Sequence, residues 1–176
     1  MMRYLSISQL IKVLRSNKVL IFGILLLFTT RSVLADWSLV PSESMQPTIQ
    51  VGDYVWIDKK AYDLRVPFSA ISLARLGNPE RGDIIIFDSE VVGKRMVKRV
   101  AALPGDVISM PDGRVLEIPE DHFFVLGDNR LNSADSRVIG LVPRRELKGK
   151  ATHVIASFNT ENYLLPRSDR FLKKLL

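Results

Sequence analysis

An uninterrupted apolar block, VLIFGILLLF from Val19 to Phe28, separates a short basic segment from a long body of brief hydrophobic runs. The stretch between Lys18 and Asp36 holds 17 residues with Arg31 as its only charge. A helix of that length covers roughly 25 Å, slightly short of a ~30 Å hydrocarbon core. Arg31 lies near one end, where its side chain can snorkel to the headgroups, and Trp37 suits the membrane interface. The pattern predicts a cytoplasmic basic N-terminus over residues 1–18, one transmembrane anchor over 19–35 and an extracytoplasmic body over 36–176. A competing reading takes the same features as a cleavable signal peptide, with Val33-Leu34-Ala35 as a small-residue cleavage site. Arg3, Lys12, Arg15 and Lys18 precede the apolar block, so both readings leave the N-terminus inside and carry the body across the inner membrane to its periplasmic side.

Beyond Pro41 the pattern changes to short runs closed by turn residues, which predicts a mainly β body. The clearest strands are Tyr54–Ile57, Ile84–Phe87, Val107–Met110, Phe123–Leu126 and Thr152–Phe158. Gly52-Asp53, Gly82-Asp83, Gly105-Asp106, Asp112-Gly113 and Gly127-Asp128 punctuate them. Residues 59–80 read as a long connection or a short helix, and the tail FLKKLL from Phe171 as an amphipathic turn.

Charge changes this picture by location rather than by size. The net charge is +6, but five of the 25 basic residues lie before Asp36, leaving 20 against 19 acidic residues in the body. A nearly neutral body lacks the basic groove that nucleic acid would need, so nucleic acid is not an expected partner and membrane lipid is. The chain has no cysteine, and its two histidines, His122 and His153, show no ligand-like spacing. No metal site and no cofactor is expected. Hydrolytic chemistry in this chain has to manage without a convincing histidine base.

Three segments carry candidate chemistry. Ser42-Glu43-Ser44-Met45-Gln46-Pro47-Thr48 follows closely on the apolar region and, taken alone, reads as a polar turn. If residues 94–100 form a strand, Met96, Lys98 and Val100 share one face while Arg95 and Arg99 take the other. Lys98 then sits among apolar neighbours, where desolvation favours the neutral amine that a general base requires. Gly127-Asp128-Asn129-Arg130-Leu131-Asn132-Ser133-Ala134-Asp135-Ser136-Arg137 is either an exposed polar loop or a paired network bracing a site.

Together with Gly52–Lys59, the RGDIIIF run at 81–87 and KRVAALPGD at 98–106, these segments resemble the type I signal peptidase family, block by block and in order. The resemblance implies a signal-peptidase-type fold of coiled antiparallel sheets and a serine endopeptidase that cuts leader peptides after small residues. It implies Ser44 as nucleophile and Lys98 as general base, with the Ser44 backbone N–H and the Ser42 hydroxyl forming the oxyanion hole. Ser133 would hydrogen-bond and orient the lysine, with Asp135 and Arg137 in support. Val40, Met45, Ile49, Met96 and Val97 would line the substrate pocket. Only 20 residues separate Asp106 from Gly127, too few for the large accessory β domain of many Gram-negative members. This minimal build is similar to Gram-positive enzymes and to the small peptidases that process pilin precursors in conjugation systems. The implied partners are leader-bearing preproteins and lipid, and the chain is expected to act as a monomer. Self-cleaving SOS repressors share Ser/Lys chemistry but carry a helix-turn-helix domain, a pattern not found here. An inactive leader-binding β module is opposed by the presence of Ser42, Ser44, Lys98 and Ser133 together.

Overall fold

The computed structural model describes residues 16–33, 35–66, 69, 71–110, 113–159 and 165–175. The apolar block forms helix α1 (Lys18–Val33), 16 residues and about 24 Å long. Val19, Leu20, Phe22, Leu26 and Leu27 along it are exposed. Among the described residues no helix is long and apolar enough to cross a membrane. The expected span of 19–35 therefore overshoots the helix: α1 stops at Val33, and Ala35 already pairs with Asp58 as the first residue of strand β1 (Ala35–Leu39). Of the basic N-terminus, residues 1–15 lie outside the described residues.

The body is mainly β. After β1 come β2 (Asp53–Asp58), β3 (Asp63–Arg65), β4 (Ser72–Arg75), β5 (Ile84–Ser89), β6 (Lys94–Ala102), β7 (Val107–Ser109) and β8 (Val115–Glu117). There follow β9 (His122–Leu126), one helical turn α2 (Ser136–Ile139), β10 (Val142–Pro143), β11 (Leu147–Ser157) and β12 (Lys173–Lys174). An eight-stranded sheet runs in the order β1-β2-β11-β5-β6-β9-β10, with β12 attached to β11. Every pairing in it is antiparallel. The hairpins β3-β4 and β7-β8 form two small sheets of their own.

The apolar run IIIF explains why β5 is central. Its side chains alternate between two cores: Ile84 and Ile86 join Val40, Met45, Ile49, Val55, Ile57 and Val154, whereas Ile85 and Phe87 join Tyr62, Val100, Phe123, Val125 and Leu147. A strand buried on both faces loses the polar alternation of a half-exposed one. β6 lies beside it with Lys98 opposite Ile85 and Val97 opposite Ile86. Met96 and Val100 share the second core, so the expected facing of Met96, Lys98 and Val100 is the one observed. β9 pairs with β6 only from Arg99 onward, which leaves that edge of residues 94–98 without a strand neighbour among the described residues. Among the described residues β1 pairs on one side only, with β2.

Residues 59–80 contain a 3-10 turn (Lys59–Ala61) and the β3-β4 hairpin. The C-terminal tail forms a 3-10 turn (Ser168–Arg170) and β12, and places Leu175 in the first core.

Candidate active site

Two ends of the sheet meet at Ser44 and Lys98. The serine lies in a 3-10 turn (Glu43–Met45) whose following residues fold back, with the Ile49 N–H bonded to the Met45 carbonyl at 2.9 Å. Met45 is fully buried and pins this turn to the first core. Lys98 reaches it from β6: its Nζ donates to Ser44 Oγ at 2.8 Å and to the Val97 carbonyl at 2.9 Å. Ser42 Oγ stands 3.3 Å from Ser44 Oγ, completing a chain of three polar side chains. Lys98 is only 3% exposed and Ser44 only 8%. Burial pulls the Lys98 ammonium down to about 8, while the negative charge of Asp135 works in the opposite direction.

The loop after β9 closes over the serine turn. The Asn129 N–H donates to the Ser44 carbonyl at 3.0 Å. Asn129 Nδ2 and Asn132 Nδ2 reach the Glu43 carbonyl and carboxylate, at 3.4 and 3.3 Å. Gly127 has to be glycine: a Cβ there would lie 2.2 Å from Ser133 Oγ and 2.5 Å from the Ser44 carbonyl oxygen. Two ion pairs hold the loop. Asp135, wholly buried, accepts from Arg137 Nε at 2.8 Å and Nη2 at 2.9 Å and from the Gly127 N–H at 3.0 Å. Asp128 accepts from Arg99 Nε at 2.8 Å and Nη2 at 2.7 Å. Burial pushes both carboxyls up, but the Arg137 and Arg99 guanidinium groups outweigh it and hold them below the usual carboxylate range.

The structure thus brings Ser42, Ser44, Lys98, Asp135 and Arg137 together, and it departs from expectation at two other positions. Ser133 makes no hydrogen bond with Lys98, whose Nζ donates instead to Ser44 Oγ and the Val97 carbonyl. Its buried hydroxyl packs against Gly127 and leans towards the Asp135 carboxylate without reaching regular hydrogen-bond geometry. Ile49, expected in the pocket, is fully buried in the first core and does not line the groove. Val40, Met45, Met96 and Val97 do line it, in a groove of about 840 Å³ running from Ser38 to Lys98 between the chain leaving β1 and the edge of β6. Gly127, Asp128, Asn129 and Asn132 lay within the polar block but were not singled out by sequence, because only the folded loop shows which of its polar groups face the serine. Neither histidine lines the groove, and among the described residues no cluster of His, Asp or Glu is placed to hold a metal ion.

A family model described as signal peptidase, peptidase S26, matches residues 13–117 and 114–156. A probable signal peptidase I-2 of Synechocystis sp. is 31% identical over 166 residues, covering 78% of this chain and 71% of that protein. Signal peptidase I of Leptolyngbya laminosa is 32% identical over 171 residues, covering 80% and 75%. A crystal structure of a signal peptidase I from Enterococcus faecalis shows 30% identity over 43% of this chain and 97% of that one, with a TM-score of 0.38. The matched residues take in the serine turn, the lysine strand and the loop that closes over them, and the chain belongs to the signal peptidase family, peptidase S26: it is a serine endopeptidase that acts on leader-bearing preproteins.

Proposed function

We propose that Ser44 is the nucleophile and Lys98 the general base of a membrane-bound leader peptidase. The observation that carries this reading is the 2.8 Å contact between Lys98 Nζ and Ser44 Oγ in a buried setting. With a pKa of about 8, roughly one lysine in ten is neutral at pH 7, against a few in ten thousand for a free side chain near 10.4. Neutral Lys98 takes the Ser44 proton as Oγ attacks the scissile carbonyl, then passes it to the departing amine. Water, deprotonated by neutral Lys98 Nζ, then attacks the acyl-enzyme, and Lys98 returns that proton to Ser44 Oγ as the ester bond breaks. The Ser44 N–H and the Ser42 hydroxyl are the donors assigned to the oxyanion, where one lost donor costs on the order of 10²–10³ in rate.

The outer edges of β1 and of residues 94–98, which have no strand neighbour among the described residues, supply backbone groups to a leader peptide lying extended in the groove. Val40, Met45, Met96 and Val97 then meet its small side chains. Membrane attachment is supported by the exposed apolar side chains of α1, by the basic residues before it, and by Trp37, Tyr54, Trp56 and Phe158, which line an apolar patch on the adjoining sheet. Attachment by α1 with the body on the periplasmic side predicts that protease added to spheroplasts digests residues 36–176. Protection of the body contradicts the orientation, and its full release into the soluble periplasm contradicts the attachment. The small connection between β6 and β9 fits a general signal peptidase and a dedicated one, such as one for pilin precursors, alike, and substrate range separates the two. Failure to rescue cells depleted of their main signal peptidase supports that specialisation, and full rescue contradicts it. The test of the activity itself is mass analysis of a leader peptide with Ala one and three residues before the expected bond. A single cut after the nearer Ala is expected, and an intact peptide or a cut elsewhere overturns the reading.

A further inference from the structure

The family match ends at residue 156, yet two described side chains beyond it, those of Arg167 and Arg170, reach the loop that follows the serine turn. Arg170 is 4% exposed and sends its guanidinium to wholly buried Asp53, with Nε to Oδ1 at 3.0 Å and Nη2 to Oδ2 at 2.5 Å, and to the Thr48 carbonyl at 3.0 Å. Arg167 donates to Gln50 Oε1 at 2.6 Å and to the carbonyls of Val51 and Phe158. Asp53 in turn accepts from the Gln50 N–H at 2.8 Å, and its own carbonyl receives the Val40 N–H at 2.8 Å. The loop 48–53 is therefore clamped from behind, and it joins the turn holding Ser44 to the residues that open the groove. Leu175 adds apolar contact in the core that holds Val40, Met45 and Ile49. The tail is itself fixed, by pairing of β12 with β11 and by the Arg167 N–H to Ser157 carbonyl bond at 2.8 Å.

We propose that the C-terminal tail is a positioning element for the nucleophile, with Arg170 as its principal positioning residue and Arg167 as its second. Arg170 touches neither Ser44 nor the groove lining, and it acts through Thr48 and Asp53 on the turn that sets Oγ against Lys98 Nζ. A fork that grips a carboxylate and a carbonyl together fixes both position and angle, which a point charge does not. Misplacement by about 1 Å at a reacting atom costs on the order of 10²-fold in rate.

This inference rests on the assignment of Ser44 and Lys98, and its test separates the two. Steady-state cleavage of a leader peptide is measured for the full chain in detergent, per folded molecule, for wild type, Arg170→Ala, Arg170→Lys and Arg167→Ala. Arg170→Ala is expected to lower kcat about 10- to 100-fold with KM within about twofold, Arg170→Lys to restore part of it, and Arg167→Ala to lower kcat several-fold. Because Arg170→Ala strands the buried Asp53 charge and can compromise folding, Arg167→Ala decides the matter if that variant does not fold. Unchanged kcat per folded molecule in the folded variants, with only a lower Tm, overturns the proposal and makes the tail purely structural. An inactive wild type defeats the peptidase assignment instead. The rate at which Ser44 is acylated by a small activated ester then reads the positioning without any leader, slower in the Arg variants if the tail positions Oγ and equal to wild type if it does not.

Discussion

Lys94 and Lys98 stand on the same strand and line the same groove, but they face opposite physical situations. Lys94 is exposed at the outer end, whereas Lys98 is 3% exposed, with its Nζ held between Ser44 Oγ and the Val97 carbonyl. The outer end is open because, among the described residues, only β5 pairs with it, and the inner end is closed because β9 and the loop after it arrive at Arg99. One lysine keeps its contact with solvent and the other loses it, and the difference comes from burial rather than from sequence neighbours. Desolvation of Lys98 from 10.5 to about 8 corresponds to about 3 kcal/mol against its charged form, a burden on the native state that the site requires.

Breaking the inner end has the largest expected effect. Ser44→Ala and Lys98→Met each lower kcat/KM by at least about 10³-fold, and the double variant is no worse than either alone, since the pair acts as one unit. The same Lys98→Met protein is expected to be more stable than wild type at pH 7. The unfolded chain holds one more proton than the native one between about pH 8 and 10.5, so wild-type stability rises across that window and the penalty is fully present below it. Losing two hydrogen bonds offsets about 2 of those 3 kcal/mol, so the net gain is about 1 kcal/mol near neutrality. Thermal unfolding at pH 7 and pH 10 reads it as an advantage of the variant that reverses to a deficit of about 1 kcal/mol by pH 10, where the wild-type penalty is mostly gone and the lost hydrogen bonds remain, and a variant equally destabilised at both contradicts the desolvation argument.

Next in size is the lid on the serine turn. Gly127→Ala forces a methyl into the space of Ser133 Oγ and the Ser44 carbonyl, and is expected to lower kcat about 100-fold with a lower Tm. Activity within about threefold of wild type would show that the loop yields without moving Ser44. Asp135→Asn removes the negative charge that favours the proton on Lys98, so the alkaline limb of activity moves to lower pH. A limb moving upward would assign Asp135 a different role. At the outer end, Lys94→Ala is expected to change kcat/KM by less than about threefold, as for any solvated surface charge. A loss comparable with that of Gly127→Ala would erase the contrast between the two ends.

Much of this was legible in the sequence where the information is local. The run IIIF and the alternation about Lys98 follow from side-chain periodicity, and both strands formed where that pattern placed them. The serine turn was recognisable by its residues, though not its contact with a lysine 54 positions away. What periodicity cannot carry is pairing over such distances. The clamp from Arg170 to Asp53 spans 117 positions and links the Gly52-Asp53 turn signal to an arginine just before the FLKKLL tail. Ile49 was misplaced for the same reason, since an apolar residue beside a serine block fits a pocket or a core equally well until the first core is assembled. β1 was missed because its few residues follow directly on the apolar block, and only pairing with β2 makes them a strand.

The account stands on Lys98 acting as the base, and the pH dependence of kcat/KM for wild type, His122→Ala and His153→Ala tests that most directly. Activity is expected to rise through a single limb near the Lys98 value of about 8, and to be unchanged by either histidine substitution. A limb near 6.5 that disappears in a histidine variant would contradict the Ser44–Lys98 mechanism even if the protein cleaves leaders.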